Sequence, residues 1–282
     1  MFRNTLLFGL SLFLLSSCVS HQPEDKTWQS LFNGEDLTGW DTYLGPAYDT
    51  IHNRWDTIPV GLNIDPDKVF SVVELDGQKV LRISGEHFGG ISTQREFENY
   101  HLQLQFKWGT LQWAPRKNGK KDSGLMYHGV GPQGADGGFW LRSQELQIQQ
   151  GDCGDYYACA GAITDIRVKR DPDSTYVYSK DGELVTFSDR SPAGRHVKKD
   201  KDAEKPTGEW NTLDLYCYGG TSVHMVNGEV VMVLHNSRQY DADKEIPLTK
   251  GKIQIETEGA EVFYRDIKIQ PIEGIPETLL DE

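Results

Sequence analysis

No stretch of the 282-residue chain sustains a 3.6-residue amphipathic period over three turns, so the fold cannot be built on helices. What recurs instead is alternation. His101 to Trp108 sets Leu102, Leu104, Phe106 and Trp108 on one side of a strand and polar residues on the other. Asp76-Gly77 joins the runs Phe70 to Glu74 and Lys79 to Ser84. Asn227-Gly228 joins Ser222 to Val226 and Glu229 to His235, and both dipeptides are hairpin turns. Short strands at roughly 8–12 residue spacing, separated by Gly-rich turns, predict an all-β sandwich or barrel. Residues 41–68 carry Gly45-Pro46, Pro59 and Pro66 without a clean period and read as a long loop or insertion. With no repeat of about 20–50 residues and no linker, a single domain is expected over residues 28–272, followed by a tail at 273–282.

Net charge is −13, and no basic run is long enough to track a phosphate backbone, which argues against nucleic acid as a partner. Seven Trp and twelve Tyr supply flat side chains with polar edges, suited to stacking on sugars as well as to filling a sandwich core. Residues 1–18 stand apart from the fold. Arg3 precedes the short apolar run Leu6 to Leu15, and Leu15-Ser16-Ser17-Cys18 resembles a bacterial lipoprotein cleavage box. Cleavage there leaves Cys18 lipidated on a polar tether, residues 19–27. The expected location is therefore the cell envelope, anchored by acyl chains to a bacterial membrane on its periplasmic or outer-surface side. Export and a six-residue spacing suggest a disulfide between Cys153 and Cys159, while Cys217 falls on an apolar parity as a buried thiol.

The stretch Gly138 to Tyr157 concentrates the chemistry. Leu146 and Ile148 face a core, so Ser143, Glu145, Gln147 and Gln149 share the opposite face. A carboxylate in a row of amides is either a solvated face or a surface that holds something polar. The Gly-Asp-Cys-Gly-Asp-Tyr-Tyr loop at 151–157 adds Asp152, Asp155 and Tyr156 at the strand's end.

Leu31-Phe32-Asn33-Gly34-Glu35-Asp36-Leu37-Thr38-Gly39-Trp40 resembles the opening motif of the 3-keto-disaccharide hydrolase family. Asp122 to His128 and Ser143 to Gln149 resemble its middle and central strands. Val226-Asn227-Gly228, Gly251 to Glu256 and Phe263 to Ile267 resemble its ending. The resemblance implies a concanavalin A-like jelly-roll β-sandwich of two antiparallel sheets with a concave groove. It also implies cleavage of glycosides whose sugar carries a ketone at C3. That ketone acidifies the C2 proton, so one base can start an elimination that expels the C1 substituent, and water then adds back.

On this reading Glu145 is the base, Lys107 stabilises the enolate and His128 is the acid or a proton shuttle. Gln147, Gln149, Asp152 and Asp155 bind hydroxyls, and Trp108, Trp140 and Tyr156 form the stacking floor. Each has a plainer alternative: Lys107 solvated, His128 packed, Trp108 in the core, and Asp152 with Asp155 on a structural Ca²⁺. No catalytic metal or cofactor is expected, and the partners are an oxidised oligosaccharide or glycoside and the bilayer. A non-catalytic carbohydrate-binding lipoprotein is the rival reading. A conventional glucan hydrolase ranks lower, because Gln147 and Gln149 stand where such an enzyme needs a second acid.

Overall fold

The alternation becomes two antiparallel sheets in the computed structural model, which describes residues 27–280. The leader with Cys18, residues 19–26 of the tether, and the last two residues lie outside the described residues. One sheet runs, in order, His196–Val197, Tyr156–Cys159, Arg142–Gln149, Asp122–Val130, Lys252–Thr257, Gly89–Thr93, Trp40–Asp49 and Arg54–Leu62. The main path of the other runs Tyr176–Tyr178, Ala162–Arg170, Glu229–Asp241, Thr221–Val226, Asn211–Tyr218, Tyr100–Gln112, Ala260–Pro271, Gln78–Ile83 and Phe70–Leu75. Among the described residues, helix is confined to the single turn Glu277–Leu280. This is a jelly-roll sandwich, as the resemblance implied.

Parity decides what lies between the sheets. Leu102, Leu104, Phe106 and Trp108 pack with Leu125, Tyr127, Leu146, Ile148, Ile253 and Ile255 in one apolar cluster. A second cluster joins Tyr156 and Val197 of the first sheet to Ile166, Val223 and Leu234 of the second. Each fully buried side chain of this kind contributes about 1.5–3 kcal/mol, so the strand faces are strongly specified. One polar residue belongs to this interior. Gln144 donates through Nε2 to the Ile163 carbonyl and Ser237 Oγ, both at 3.0 Å, and accepts a hydrogen bond from the Tyr156 hydroxyl. Glu145, the next residue, therefore points away from the core.

Residues 41–68 are not a loop. Trp40–Asp49 and Arg54–Leu62 form a hairpin in which Pro46 stands opposite Pro59, with a bulge between Pro46 and Tyr48. Pro59 is tolerated because Arg54–Leu62 is the edge strand, and Pro46 lies beyond Leu44, where the pairing with Gly89–Thr93 has already ended.

Candidate functional site

Glu145 stands directly opposite Met126 on one neighbouring strand and Tyr157 on the other, all on the outward face of the first sheet. Two residues along each strand, Gln147 faces Gly124. The missing side chain matters here. A Cβ placed on Gly124 would lie 2.6 Å from Glu145 Oε1 and 2.6 Å from Glu256 Oε2, so the two carboxyls converge over bare backbone. Glu256 gets there because Ile253 and Ile255 turn inward, leaving Gln254 and Glu256 outward.

Two further acids close the cluster. Arg116 Nη1 pairs with Asp122 Oδ2 at 2.6 Å, and its other terminal nitrogen pairs with Glu258. All four carboxyls are nearly covered: Glu145 is 5%, Glu256 2%, Glu258 6% and Asp122 0% exposed. Asp122 Oδ1 has no hydrogen-bond partner among the described residues. Burial, reinforced by Glu258 and Asp122, holds the Glu145 carboxyl well above the usual carboxylate range. Burial, then Glu145 and Glu258, does the same to Glu256. Glu258 is pushed up to about 8 by burial and by Asp122, against the pull of Arg116. Asp122 is raised to about 6 by burial, with Arg116 again opposing. At neutral pH such a set shares protons: it holds acids and a base side by side.

Arg195 flanks the cluster on the side of Tyr157, its guanidinium 5.9 Å from the centre of that ring and 3.1 Å from both Asp136 oxygens. Beyond Tyr157 opens a cavity of about 250 Å³ lined by Gln147, Gln149, Asp152, Asp155, Tyr157 and His196, with Lys120 and Lys198 at its rim. Toward the Arg54–Leu62 edge of the same sheet, Trp140 donates through Nε1 to the Gly89 carbonyl at 2.8 Å. Its neighbours Phe88 and Phe139 pack against Trp55 at ring distances of 4.7 and 4.8 Å.

The residues expected from sequence divide sharply. Glu145, Gln147, Gln149, Asp152 and Asp155 come together on one face, and Trp140 lies toward its far edge. Lys107 does not join them. It lies on the second sheet and forms an ion pair with Asp76 at 3.0 Å, because its parity is opposite to that of Phe106 and Trp108. Trp108 is in the core, donating to Glu204 Oε1 at 3.0 Å. His128 is a correction too. Its positive φ of 54° and the register shift after Tyr127 turn its ring inward, 6.0 Å from Tyr100 and 5.1 Å from Tyr127. Burial pushes the imidazole down to about 3, against the weaker pull of the Leu248 backbone, so it stays neutral.

Tyr156 is wholly buried, and it is Tyr157 that faces the cavity. Cys153 and Cys159 are free thiols on different faces. Cys153 lies in the core, whereas the Cys159 Sγ is 3.5 Å from Glu145 Oε2, so they do not form the expected disulfide. Asp152 and Asp155 face basic side chains: Asp152 meets Lys120, and Asp155 meets His196 at 2.9 Å and Lys199 at 3.7 Å. Among the described residues, no group of three or more His, Cys, Asp or Glu is disposed to hold a metal ion.

Sequence reasoning missed Asp122, Glu256, Glu258, Arg116, Arg195, Tyr157 and His196. For Glu256 and Asp122 the signal was present. Each sits in an alternating run whose apolar members, Ile253 and Ile255 or Leu125 and Tyr127, face the core. Arg116 and Arg195 come from loops, which carry no periodicity to read.

Solved structures with similar architecture include two candidate glycosyl hydrolases from Parabacteroides distasonis. One is 20% identical with a TM-score of 0.48, covering 87% of this chain and 100% of its own. The other is 18% identical with a TM-score of 0.47, covering 87% and 94%. A β-glucanase from Bacillus licheniformis is 12% identical with a TM-score of 0.44, covering 89% and 100%. No curated protein matches the chain. Residues 27–270 match the family described as the 3-keto-alpha-glucoside-1,2-lyase-like domain, and the chain belongs to that family.

Proposed function

We infer that the protein cleaves 3-keto-glycosides by base-assisted elimination beside the ketone, followed by hydration. The observation that carries this reading is the meeting of Glu145 and Glu256 over Gly124, in a covered site where one carboxyl of the pair holds a proton and the other can accept one. Glu145, the more exposed of the two, takes the C2 proton. Arg116 and Arg195 supply the positive potential that the enolate oxygen needs, in the role first given to Lys107. Gln147, Gln149, Asp152, Asp155 and Tyr157 offer donors and acceptors to the departing group in the adjoining cavity.

The same observation gives a conventional hydrolase more ground than the sequence did, since Glu256 is the second acid that the row of glutamines lacked. Incubation with a 3-keto-glucoside beside its unoxidised parent separates the readings. Aglycone release from the ketone alone is expected. Release from the parent alone would establish conventional hydrolysis, and release from neither would leave a carbohydrate-binding protein.

The lipid anchor belongs to the same proposal, on the strength of Leu15-Ser16-Ser17-Cys18. Palmitate labelling of the cell-envelope protein should vanish in Cys18→Ala. Labelling that persists rejects Cys18 as the anchor.

A further inference from the structure

With His128 in the core, the oxygen leaving C1 needs another source for its proton. The geometry points to His196 as the acid that protonates it, with Asp155 as the residue that positions the ring; this rests on the elimination reading above. His196 faces Tyr157 in the strand ladder, and Tyr157 faces Glu145, so the three stand in one row on the outward face. Adjacent strands lie about 4.8 Å apart, which puts His196 about 10 Å from Glu145 across the sheet, with Tyr157 on the strand between them. Val197 is buried between the sheets, and that parity turns His196 into the cavity.

The imidazole is held rather than merely exposed. It stacks on the Tyr157 ring at 4.4 Å and 21°, and its Nε2 lies 2.9 Å from Asp155 Oδ2. Asp155 is only 3% exposed and is itself fixed by the Lys199 backbone N–H at 3.0 Å. The Asp155 carboxylate on Nε2–H fixes the ring's orientation, and in the imidazolium form Nδ1–H is left to donate to a ligand.

The step balances. Glu145 takes the C2 proton, the C–H electrons form the C1–C2 double bond, and the C1–O bond breaks as its oxygen takes a proton from His196. Water then places its hydroxyl on C1 and returns its other proton to His196, while Glu145 gives its proton back to C2. Both residues regain their starting states.

The test compares two 3-keto-glucosides, one with a nitrophenyl and one with a methyl leaving group, because only the methoxide needs help to depart. His196→Gln keeps a hydrogen-bond donor toward Asp155 but transfers no proton. It should lose about 10²–10³-fold on the methyl glycoside and stay within about threefold of wild type on the nitrophenyl one. Asp155→Asn should show the same selectivity at smaller size, with melting temperature confirming the fold of both. Equal losses on both substrates, or none on either, would overturn the proposal. So would the selective loss appearing in Glu256→Gln instead. Wild-type protein that cleaves neither ketone would reject the elimination reading itself, and His196 as its acid with it.

Discussion

Glu145→Gln is expected to lower turnover of a 3-keto-glucoside by about a thousandfold or more in a protein that remains folded. The amide has nearly the shape of the acid but accepts no proton from carbon, and a positioned base is worth about 10²–10⁴ in rate. Folding should survive because Glu145 contributes no ion pair among the described residues; its carboxyl is held high by burial, Glu258 and Asp122. The substitution removes an acid that the fold disfavours in its charged form, so the melting temperature should hold or rise. Gly124→Ala should lose about a hundredfold by another route. Its Cβ would land on both carboxylate oxygens, while its backbone, which is not left-handed, accepts alanine without strain. A displacement of about 1 Å at reacting groups costs on the order of a hundredfold. Lys107→Ala, on the other sheet, should leave turnover at the wild-type level. Undiminished activity in Glu145→Gln would remove that residue as the base.

Stability and activity are expected to run in opposite directions with pH. A carboxyl raised in the folded chain keeps a proton that the unfolded chain has released. Its stabilising effect is therefore complete below the unfolded value and lost as pH rises through the folded one. Glu258, moved from 4.5 to about 8, places that loss across neutrality, and Glu145 and Glu256 are displaced in the same direction. At pH 7 the folded chain still holds the Glu258 proton that the unfolded chain has released, which costs stability.

His128 and His224 oppose this from the acid side. Burial pushes both down to about 3, so each withdraws stability as pH falls below 6.5. The melting temperature should thus rise by about 5–10 °C from pH 8 to pH 6, then fall again below about pH 4.5, where the carboxyls no longer compensate. Over the upper window kcat/KM on the nitrophenyl 3-keto-glucoside, which needs no proton from His196, should climb with pH, because the base works ionised. Thermal melts of wild type and Glu258→Gln give the check: the variant should show a flatter slope between pH 6 and 8. A melting temperature that increases toward pH 8 would mean that the four carboxyls are not paying a charge penalty in the fold.

Architecture was legible wherever burial imposes a period. The run Leu102 to Trp108 and the pair Leu146 and Ile148 sit as their alternation requires, and Glu145 follows from them. Errors arose where alternation breaks or where partners come from distant segments. His128 sits at a bulge with a left-handed backbone, so counting by twos assigned its ring to the wrong face. The charge of Lys107 carries no information about its sheet; strand parity states which face a residue takes but not which sheet its strand joins. The site residues that were missed show the same limit. Glu145 and Glu256 are over a hundred positions apart and meet only because Asp122–Val130 pairs with both of their strands. Cys153 and Cys159, only six apart, were judged by proximity in sequence, yet the turn between them sends one thiol to each face.

The anchoring of Gln144 between the sheets has a consequence for how this gene can vary. Its contacts with Ile163, Ser237 and Tyr156 fix the frame of the strand. Adding or deleting a single codon there would slide every side chain to the opposite face, driving the carboxyl of residue 145 into hydrocarbon and turning the leucine and isoleucine beside it out to water. Point substitutions at the rim can be absorbed one at a time, but length changes in this segment have to come in pairs.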